Sequence, residues 1–315
     1  IISKSITMGK LQSRRDFLKV AAAGSLGAVL VSQTACNSAA NKVVAPVPPV
    51  ADPKSFGVCL QMYTVRDAME KDAVLALTQI SKIGYKYLEL ANYEDGKFYG
   101  FTPKEFKKIV NDLGMEIPSS HTQVEAKGIT LENAQKMADD HAELGVEYCV
   151  QPWINAEDRT LDKYRKMVAD WNQVGEIMKG NGIKFGYHNH NFEFKNHDGI
   201  VPYYDIFLKE MDPELITMEL DFFWAVKAGQ DPVEIINKYP GRFELFHMKD
   251  QYTTEEPFFE PASVDMAPVG AGNIDFKRIL DVKDVAGMKY LIVEQDCSFT
   301  DIKTSIYNLT TNILA

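Results

Sequence analysis

The feature that most constrains the fold of this chain is a junction, repeated along the sequence, between a polar amphipathic stretch and a short apolar run. The junction is a glycine five times, at Gly84, Gly114, Gly145, Gly182 and Gly287. Glycine is favoured just past a helix end because it adopts positive φ values without a steric penalty. An apolar run that follows at once is typical of a strand. The sequence therefore predicts repeated helix-to-strand units.

Eight strands are predicted from these runs and from three further apolar segments. They span residues 57–62, 85–88, 115–117, 146–150, 183–185, 215–220, 243–248 and 288–291. The stretches between them carry helix signals: Thr102 and Asp231 stand as caps before a first-turn proline, and 130–144 and 160–179 have apolar residues at helical spacing. Strands that alternate with helices predict parallel strands joined by right-handed crossovers.

For residues 56–315 the prediction is a single-domain α/β fold, a (β/α)8 TIM barrel, whose active site would lie at the C-terminal strand ends. A doubly wound open sheet is the alternative, but no Gly-x-Gly-x-x-Gly motif follows the first strand. The 315 residues, 45% of them hydrophobic, suffice for one large core. The net charge of −10 argues against nucleic acid as a partner and favours a small molecule, because phosphate contacts need clustered Lys and Arg.

The N-terminal residues 1–36 resemble an export signal. Arg14 and Arg15 precede the uncharged apolar run 20–31, as in a twin-arginine signal, and the run is too short to span a bilayer as a mature helix. Cys36 follows as in a lipoprotein signal, where it would carry a lipid anchor. Cleavage without lipid and an apolar cytosolic tail are the alternatives. Residues 37–55 predict a linker, and the expected location is the periplasm or the membrane surface, as an anchored lipoprotein.

Three acidic or imidazole side chains close apolar runs in the second half of the chain. Asp221, His247 and Glu294 each stand at the end of a predicted strand. Since the C-terminal ends of barrel strands meet at one rim, these side chains would deliver oxygen and nitrogen ligands to one point. They predict a divalent metal site. Two alternatives stay open: Asp221 as the cap of the next turn, and His247 as a satisfied core residue.

Other polar and aromatic residues fall at the same rim. Those predicted to bind substrate are Gln61, Tyr63, Glu89, His121, Gln151 and Trp153. The mixture suits a sugar, whose hydroxyls need amides and acids and whose C–H face needs an aromatic ring. The fifth strand adds His188 and His190 on one face, with Glu193 just beyond. Loop polar groups bonded to their own backbone, and core aromatics, are the alternative for each residue singly.

Five motifs resemble the sugar phosphate isomerase/epimerase family, the xylose isomerase-like TIM barrels. They are LQMYTVRD (60–67), YHNH (187–190), FHMKD (246–250), VGAGNIDF (269–276) and VEQD (293–296). The resemblance implies one divalent ion, Mn, Co, Mg or Zn, with Asp221, His247 and Glu294 as ligands. The fourth family ligand is usually a glutamate on the fifth strand, and His188 stands in its place here. Glu193 is the alternative source of that carboxylate.

The resemblance also implies chemistry at the carbon next to a carbonyl. Glu294, Glu193 and His190 are the candidates for the base, and Lys249 would neutralise oxyanion charge. The expected activity is isomerisation or epimerisation of a free keto-sugar or related polyol through an enediolate. A lyase or hydrolase that cleaves 3-keto glycosides is the second hypothesis, and a non-catalytic sugar-binding barrel the third. The sequence leaves a homo-oligomer open.

Overall fold

The structure is a computed structural model that describes residues 57–123, 128–196, 202–253, 256–259, 265–295 and 299–314. The predicted signal segment 1–36, its Cys36 and the linker 37–55 lie outside the described residues. In the part that is described, no helix combines the length and the apolar character needed to cross a membrane.

Eight parallel strands close into a barrel, which confirms the predicted (β/α)8 fold. In chain order they are β1 (Gly57–Gln61), β2 (Tyr87–Leu90), β3 (Glu116–His121), β4 (Tyr148–Gln151), β5 (Lys184–His188), β6 (Ile216–Asp221), β7 (Leu245–Met248) and β8 (Tyr290–Val293). Each strand pairs with the next, and β8 closes the barrel by pairing with β1 through Cys59 and Ile292. All eight predicted strands are present.

Several strands begin one or two residues later than predicted, because the first residue after the glycine still belongs to the helix end. Met115 and Ile183 donate their backbone N–H to helix carbonyls five residues back, at distances of 3.2 and 3.0 Å. This is the closing bond of a glycine C-cap, and Gly84, Gly145 and Gly287 take the left-handed conformation that it requires. Pairing with the neighbouring strand therefore starts only after this turn.

Helices surround the barrel. The α-helices of the described chain are Arg66–Ile83, Pro103–Asp112, Ala134–Leu144, Leu161–Gly180, Tyr203–Glu210, Phe222–Lys227, Pro232–Lys238, Phe276–Leu280, Lys283–Ala286 and Phe299–Asn308. Short 3-10 turns span Met62–Val65, Ala156–Asp158 and Phe192–Phe194, and a π-helical turn spans Leu309–Ile313. The predicted caps are confirmed: Thr102 accepts from the Glu105 N–H in a capping box, and Asp231 accepts from the Val233 N–H.

A two-stranded antiparallel sheet, Asp250–Gln251 with Met266–Ala267, is an element that the sequence did not predict. Beside it, the buried Asp250 carboxylate accepts backbone N–H bonds from Gly270 (3.0 Å), Gly272 (2.9 Å) and Ile274 (3.2 Å). A Cβ on Gly272 would lie 2.3 Å from that carboxylate, so the close approach requires glycine. Asp250 thus ties the loop 268–274 to the end of β7.

The barrel interior is layered by the period-two alternation of strand side chains. One layer is apolar and contains Cys59, Leu245 and Ile292. Two residues further along the same strands, the inward positions hold Gln61, His247 and Glu294. Outward residues pack against the helices in the main hydrophobic core. The polar candidates therefore gather inside one end of the barrel, above a dry apolar layer.

Candidate metal centre

Buried histidines and acids meet at the C-terminal ends of the barrel strands in two overlapping groups. In each group one ligand atom per residue lies within 4.8 Å of all the others. We call them the upper group (His188, Asp221, His247 and Glu294) and the lower group (His121, His188, Glu219 and His247). The two groups share both histidines, so they surround neighbouring positions in one cluster.

The upper group consists of the four residues that the sequence predicted as metal ligands, and the structure brings them together. His247 Nδ1 lies 2.9 Å from Glu294 Oε2 and 3.8 Å from Asp221 Oδ2. His188 Nε2 lies 3.7 Å from the same Asp221 oxygen. The nitrogen and oxygen atoms therefore face a common point, in a donor set that suits Mn, Co, Mg or Zn without selecting one of them.

The electrostatics of the cluster favour a bound cation. Asp221 Oδ2 and His247 Nδ1 are buried and have no hydrogen bond of normal geometry within the described part of the chain, although ionisable partners stand nearby. The carboxylates of the two groups and of Glu89 are buried beside the ammonium of Lys249. Burial opposes protonation of His121 and His247, but these carboxylates outweigh it and raise the pKa of both rings. Uncompensated charge is costly to bury. A divalent ion would replace the imidazole protons as the charge that balances these carboxylates, and it would coordinate Asp221 Oδ2 and His247 Nδ1. The residues present therefore fit the metal that the motifs imply.

The two carboxylate oxygens of Asp221 have different partners, one in the backbone and one in the cluster. Its Oδ1 accepts from the Trp224 N–H at 2.9 Å and caps the helix Phe222–Lys227, while its Oδ2 faces the histidines. The Asp221 N–H in turn donates to Asn189 Oδ1 at 3.1 Å. The capping role that the sequence left as an alternative is therefore compatible with ligation, because the two carboxylate oxygens point in different directions.

Glu219 belongs to the cluster and was missed by the sequence analysis. Its Oε1 lies 2.5 Å from His121 Nε2, 2.9 Å from His188 Nδ1 and 3.0 Å from His247 Nε2. A signal was available: Glu219 precedes Asp221 by two residues on β6, so the period-two rule places both side chains on the inner face.

Gln61 and Glu89 were predicted to bind substrate, but the structure places them beneath the cluster and away from the open cavity. Glu89 accepts hydrogen bonds from Gln61 Nε2 (2.7 Å) and Ser119 Oγ (2.6 Å). Its Oε1 also lies 2.7 Å from His247 Nε2. All of these side chains are fully buried. Their arrangement fixes the orientation of His247, and the sequence could not show this because the partners come from separate strands.

Lys249 lies between the two upper carboxylates, with its Nζ 3.0 Å from Asp221 Oδ2 and 2.9 Å from Glu294 Oε2. Burial opposes the charged form, but Asp221 and Glu294 outweigh it and raise the pKa of Lys249. For Glu294 burial likewise opposes ionisation, and Lys249 together with His247 holds its pKa well below the usual value. The geometry therefore keeps Glu294 as a carboxylate beside an ammonium.

A cavity of about 460 Å³ opens above the cluster. The predicted site residues that line it are Tyr63, His121, Trp153, His188, His190, Lys249 and Glu294. The His190 ring stands edge-on to Trp153 with ring centroids 4.7 Å apart, and none of the residues that the structure describes forms a hydrogen bond with its Nδ1. Gln151 does not line this cavity. Its amide is bonded to the backbone, accepting from the Ile129 N–H at 2.8 Å and donating to the Trp153 carbonyl at 2.7 Å.

Glu193, the alternative source of the fourth carboxylate, lies outside both groups. It accepts from the Tyr187 hydroxyl at 2.5 Å and from the His190 N–H at 3.0 Å. Tyr187 points outward from β5 and packs against Trp171 and Phe207, on the helix side of the barrel. Burial raises the pKa of Glu193 to about 7. The fourth member of the upper group is therefore His188, on the inner face of the barrel, and not Glu193.

Comparison with known proteins agrees with the fold and the motifs. The sequence profile of the xylose isomerase-like TIM barrel family matches residues 77–298. A sugar phosphate isomerase/epimerase structure from Parabacteroides distasonis superposes with a TM-score of 0.71 at 30% identity, over 86% of this chain and 99% of that one. The IOLI protein, solved with a zinc atom, has the same fold, with a TM-score of 0.63 at 15% identity over 81% and 99% of the two chains.

Among curated relatives, the inosose dehydratase of Geobacillus thermodenitrificans is 26% identical over 148 residues. The match covers 44% of this chain and 48% of that enzyme, so it spans about half the length of the relative. The resemblance seen in the motifs is thus confirmed by a profile that covers most of the barrel. The chain belongs to the xylose isomerase-like TIM barrel family.

Proposed function

We propose that this protein is a metal-dependent lyase that acts on a keto-sugar or keto-polyol. The observation that carries the proposal is the composition of the cavity wall. Among the described residues that line it, Glu294 is the one carboxylate, and its other titratable groups are imidazoles, Lys249 and the phenol of Tyr63. The position at which related enzymes usually have a second acid holds His188.

The number of acids matters because the candidate reactions differ in what they require. An epimerase takes a proton from one face of a carbon and returns one to the opposite face, which is served by an acid–base group on each side. An elimination needs one base for the proton and one donor for the leaving group. A single carboxylate opposite an imidazole-rich wall therefore fits elimination better than a proton exchange between two acids.

In this proposal each residue of the site has a separate role. His188, Asp221, His247 and Glu294 would hold the ion. When bound, a divalent ion polarises a carbonyl oxygen and so makes the neighbouring C–H more acidic. The Glu294 carboxylate takes that proton, and the C–H electron pair forms a carbon–carbon double bond. The C–O bond at the next carbon breaks, and its oxygen takes the proton that Glu294 carries and leaves as water or an alcohol.

Two groups would assist this step from the cavity wall. The ammonium of Lys249, 2.9 Å from Glu294 Oε2, lies where it counters negative charge that develops on the substrate oxygen. His190 lines the cavity, and its Nδ1 has no hydrogen-bond partner among the described residues, so it is placed to form a hydrogen bond with the leaving oxygen. Tyr63 and Trp153 supply the aromatic surface that a sugar ring requires. The dehydratase relatives support elimination as the reaction class.

Isomerisation or epimerisation, which the sequence ranked first, is the second candidate. It is favoured by the Parabacteroides distasonis structure, whose name is sugar phosphate isomerase/epimerase and whose whole length is matched. In that case His188 or His190 would replace the missing acid as the second proton carrier.

One experiment separates the candidates. Ion-loaded protein is incubated in deuterated water with an inosose, free ketoses and a 3-keto glycoside, followed by NMR and mass spectrometry. The lyase proposal expects a new unsaturated ketone and release of water or the aglycone. Deuterium in recovered sugar without release would instead support the isomerase. Binding without either reaction would support the sugar-binding barrel. Glu294→Gln should abolish the reaction, whereas Glu116→Gln, exposed at the start of β3, should retain it.

Export is a separate proposal that rests on residues 1–36. The twin arginines and Cys36 support an exported, lipid-anchored protein. Cell fractionation of the full chain and of Cys36→Ala tests it. The anchored form is expected in the membrane fraction and the variant in the soluble exported fraction, and an identical distribution of the two would contradict the anchor.

A further inference from the structure

The upper and lower groups share His188 and His247, and the orientation of these two rings distinguishes between the groups. His188 turns Nδ1 toward Glu219 Oε1 at 2.9 Å and Nε2 toward Asp221 Oδ2 at 3.7 Å. His247 turns Nε2 toward Glu89 Oε1 at 2.7 Å and Nδ1 toward Glu294 Oε2 at 2.9 Å. In both rings one nitrogen faces a carboxylate beneath the upper group, Glu219 or Glu89, and the other nitrogen faces a carboxylate of the upper group.

A neutral imidazole has one N–H donor and one nitrogen with a free lone pair. The nitrogen that faces a buried carboxylate holds the proton, because an ionised carboxylate only accepts. The opposite nitrogen then presents its lone pair to the metal. Glu219 therefore holds the proton on His188 Nδ1 and leaves His188 Nε2, which faces Asp221, as the ligand atom. His247 has a carboxylate on each side, Glu89 at Nε2 and Glu294 at Nδ1, so these contacts fix the tautomer of His188 and not that of His247.

From this geometry we propose that Glu219 is a positioning residue of the metal centre. It fixes the tautomer and the ring orientation of His188, and so it directs Nε2 of that imidazole toward the ion. His188 is a neutral ligand, and the Glu219 carboxylate supplies negative charge next to its Nδ1. This inference rests on the proposed metal-dependent function, and it assigns the ion to the upper group.

The distances within the groups support that assignment. Two ligands about 2.1 Å from one ion are roughly 3.0 Å apart at a right angle and about 3.4 Å apart at the tetrahedral angle. The upper group has ligand separations of 2.9, 3.7 and 3.8 Å, which leave room for an ion. In the lower group His121 Nε2 is 2.5 Å from Glu219 Oε1, a hydrogen-bond distance too short for two ligands of one ion.

A competing assignment makes Glu219 a ligand, in the lower group. Glu219 Oε2 is buried and has no hydrogen-bond partner in the described part of the chain, which would suit that role. The two assignments predict different coordination. The upper group contains two imidazoles and the lower group three, His121 among them.

The test uses the folded full chain loaded with Co²⁺ or Mn²⁺. The number of imidazole ligands is counted by X-ray absorption or pulsed EPR, and ion affinity is measured by calorimetry. The wild type is expected to show two imidazoles. Glu219→Gln is expected to keep one ion and two imidazoles, with affinity lowered about 10–100-fold. Glu116→Gln, a matched exposed change, should leave both quantities unaltered.

Three imidazoles in the wild type, or unchanged ion affinity in a folded Glu219→Gln variant, would overturn the inference. Loss of an imidazole in His121→Ala would overturn it as well, since His121 belongs only to the lower group. Circular dichroism and thermal unfolding of each variant establish that it is folded. Failure of the wild type to bind any ion is a different result, because it refutes the proposed metal-dependent function itself.

Discussion

Lys249 places an ammonium between Asp221 Oδ2 and Glu294 Oε2, at 3.0 and 2.9 Å, so it already neutralises part of the charge that an ion would meet. Its side chain is almost fully buried. Removing one partner of a buried ion pair leaves uncompensated charge and typically costs about 3–5 kcal/mol. Lys249→Met should therefore lower the free energy of unfolding of the metal-free protein by about that amount.

Added metal should reduce this deficit, because an ion replaces the missing cation and stabilises the folded state by mass action. Chemical denaturation with and without the ion measures both effects. Lys238→Met is the matched control, since Lys238 pairs with Asp205 at the surface and such pairs contribute about 0–1 kcal/mol. Equal losses in the two variants, or a deficit that the ion does not change, would contradict this role for Lys249.

Glu193 should make stability depend on pH. Burial raises its pKa from 4.5 to about 7 in the folded protein. Between those values the folded state keeps the proton that the unfolded state has lost, so stability falls as pH rises, by about 1.4 kcal/mol per pH unit. Below pH 4.5 Glu193 is protonated in both states, so it adds no pH dependence. Above about pH 7 it is ionised in both states, and the folded state bears the full cost of the buried charge. Glu193→Gln should remove this slope.

The measurement is urea unfolding of the wild type and Glu193→Gln at intervals from pH 4.5 to 8. Taking the difference between the two proteins removes the contribution of the other titrating groups. Glu210→Gln, at an exposed helix end, serves as the control and should keep the wild-type slope. Parallel curves for the wild type and Glu193→Gln would show that Glu193 is not buried as described.

At this scale the sequence predicted residue types at strand ends but not their partners. Asp221, His247 and Glu294 could be found because each stands at or next to a strand end, and the barrel brings such ends together, whereas His188 was predicted as a ligand from the resemblance. Gln61 and Gln151 also sit at strand ends, yet their amides bond to Glu89 and to the backbone. An amide binds whichever partner packing presents, and period-two spacing alone does not reveal that partner.

Asp250 and the loop 268–274 form a unit at the element scale. The Asp250 carboxylate accepts hydrogen bonds from three backbone N–H groups of that loop and from the N–H of Gln251. Asp250→Ala should release the loop, because each unmet buried N–H costs about 1–3 kcal/mol. Hydrogen exchange should rise in residues 268–274 while the barrel strands stay protected. The exposed change Asp281→Ala should alter hydrogen exchange neither in the loop nor in the strands. Unaltered exchange of the loop in Asp250→Ala would refute the anchoring.

Elements were predictable where their signals are local. A glycine followed by an apolar run located the strands, and Thr102 and Asp231 located helix starts, because these caps act within one turn. The sheet of Asp250–Gln251 with Met266–Ala267 was missed, since two-residue strands have no measurable periodicity. The motif FHMKD contains Asp250, and VGAGNIDF contains backbone N–H groups that donate to it, but only the fold shows that Asp250 joins the two motifs.

At the scale of the whole molecule, the barrel itself creates the site. The upper ligands come from β5, β6 and β7 and from the residue after β8, which are consecutive neighbours in the closed sheet. Their side chains lie above the apolar layer of Cys59, Leu245 and Ile292. A parallel barrel therefore turns four sequence-distant strand ends into one buried cluster, with an open cavity on the side away from the apolar layer.

The central claim, that this cluster is a divalent metal centre, is tested most directly by measuring the ion content of reconstituted, dialysed protein. The wild type is compared with an Asp221→Ala, His247→Ala double variant and with Glu116→Ala as a folded control. We predict one ion per chain in the wild type and the control, and none in the double variant. Absence of bound ion in the wild type, or equal ion content in the double variant, would contradict the claim.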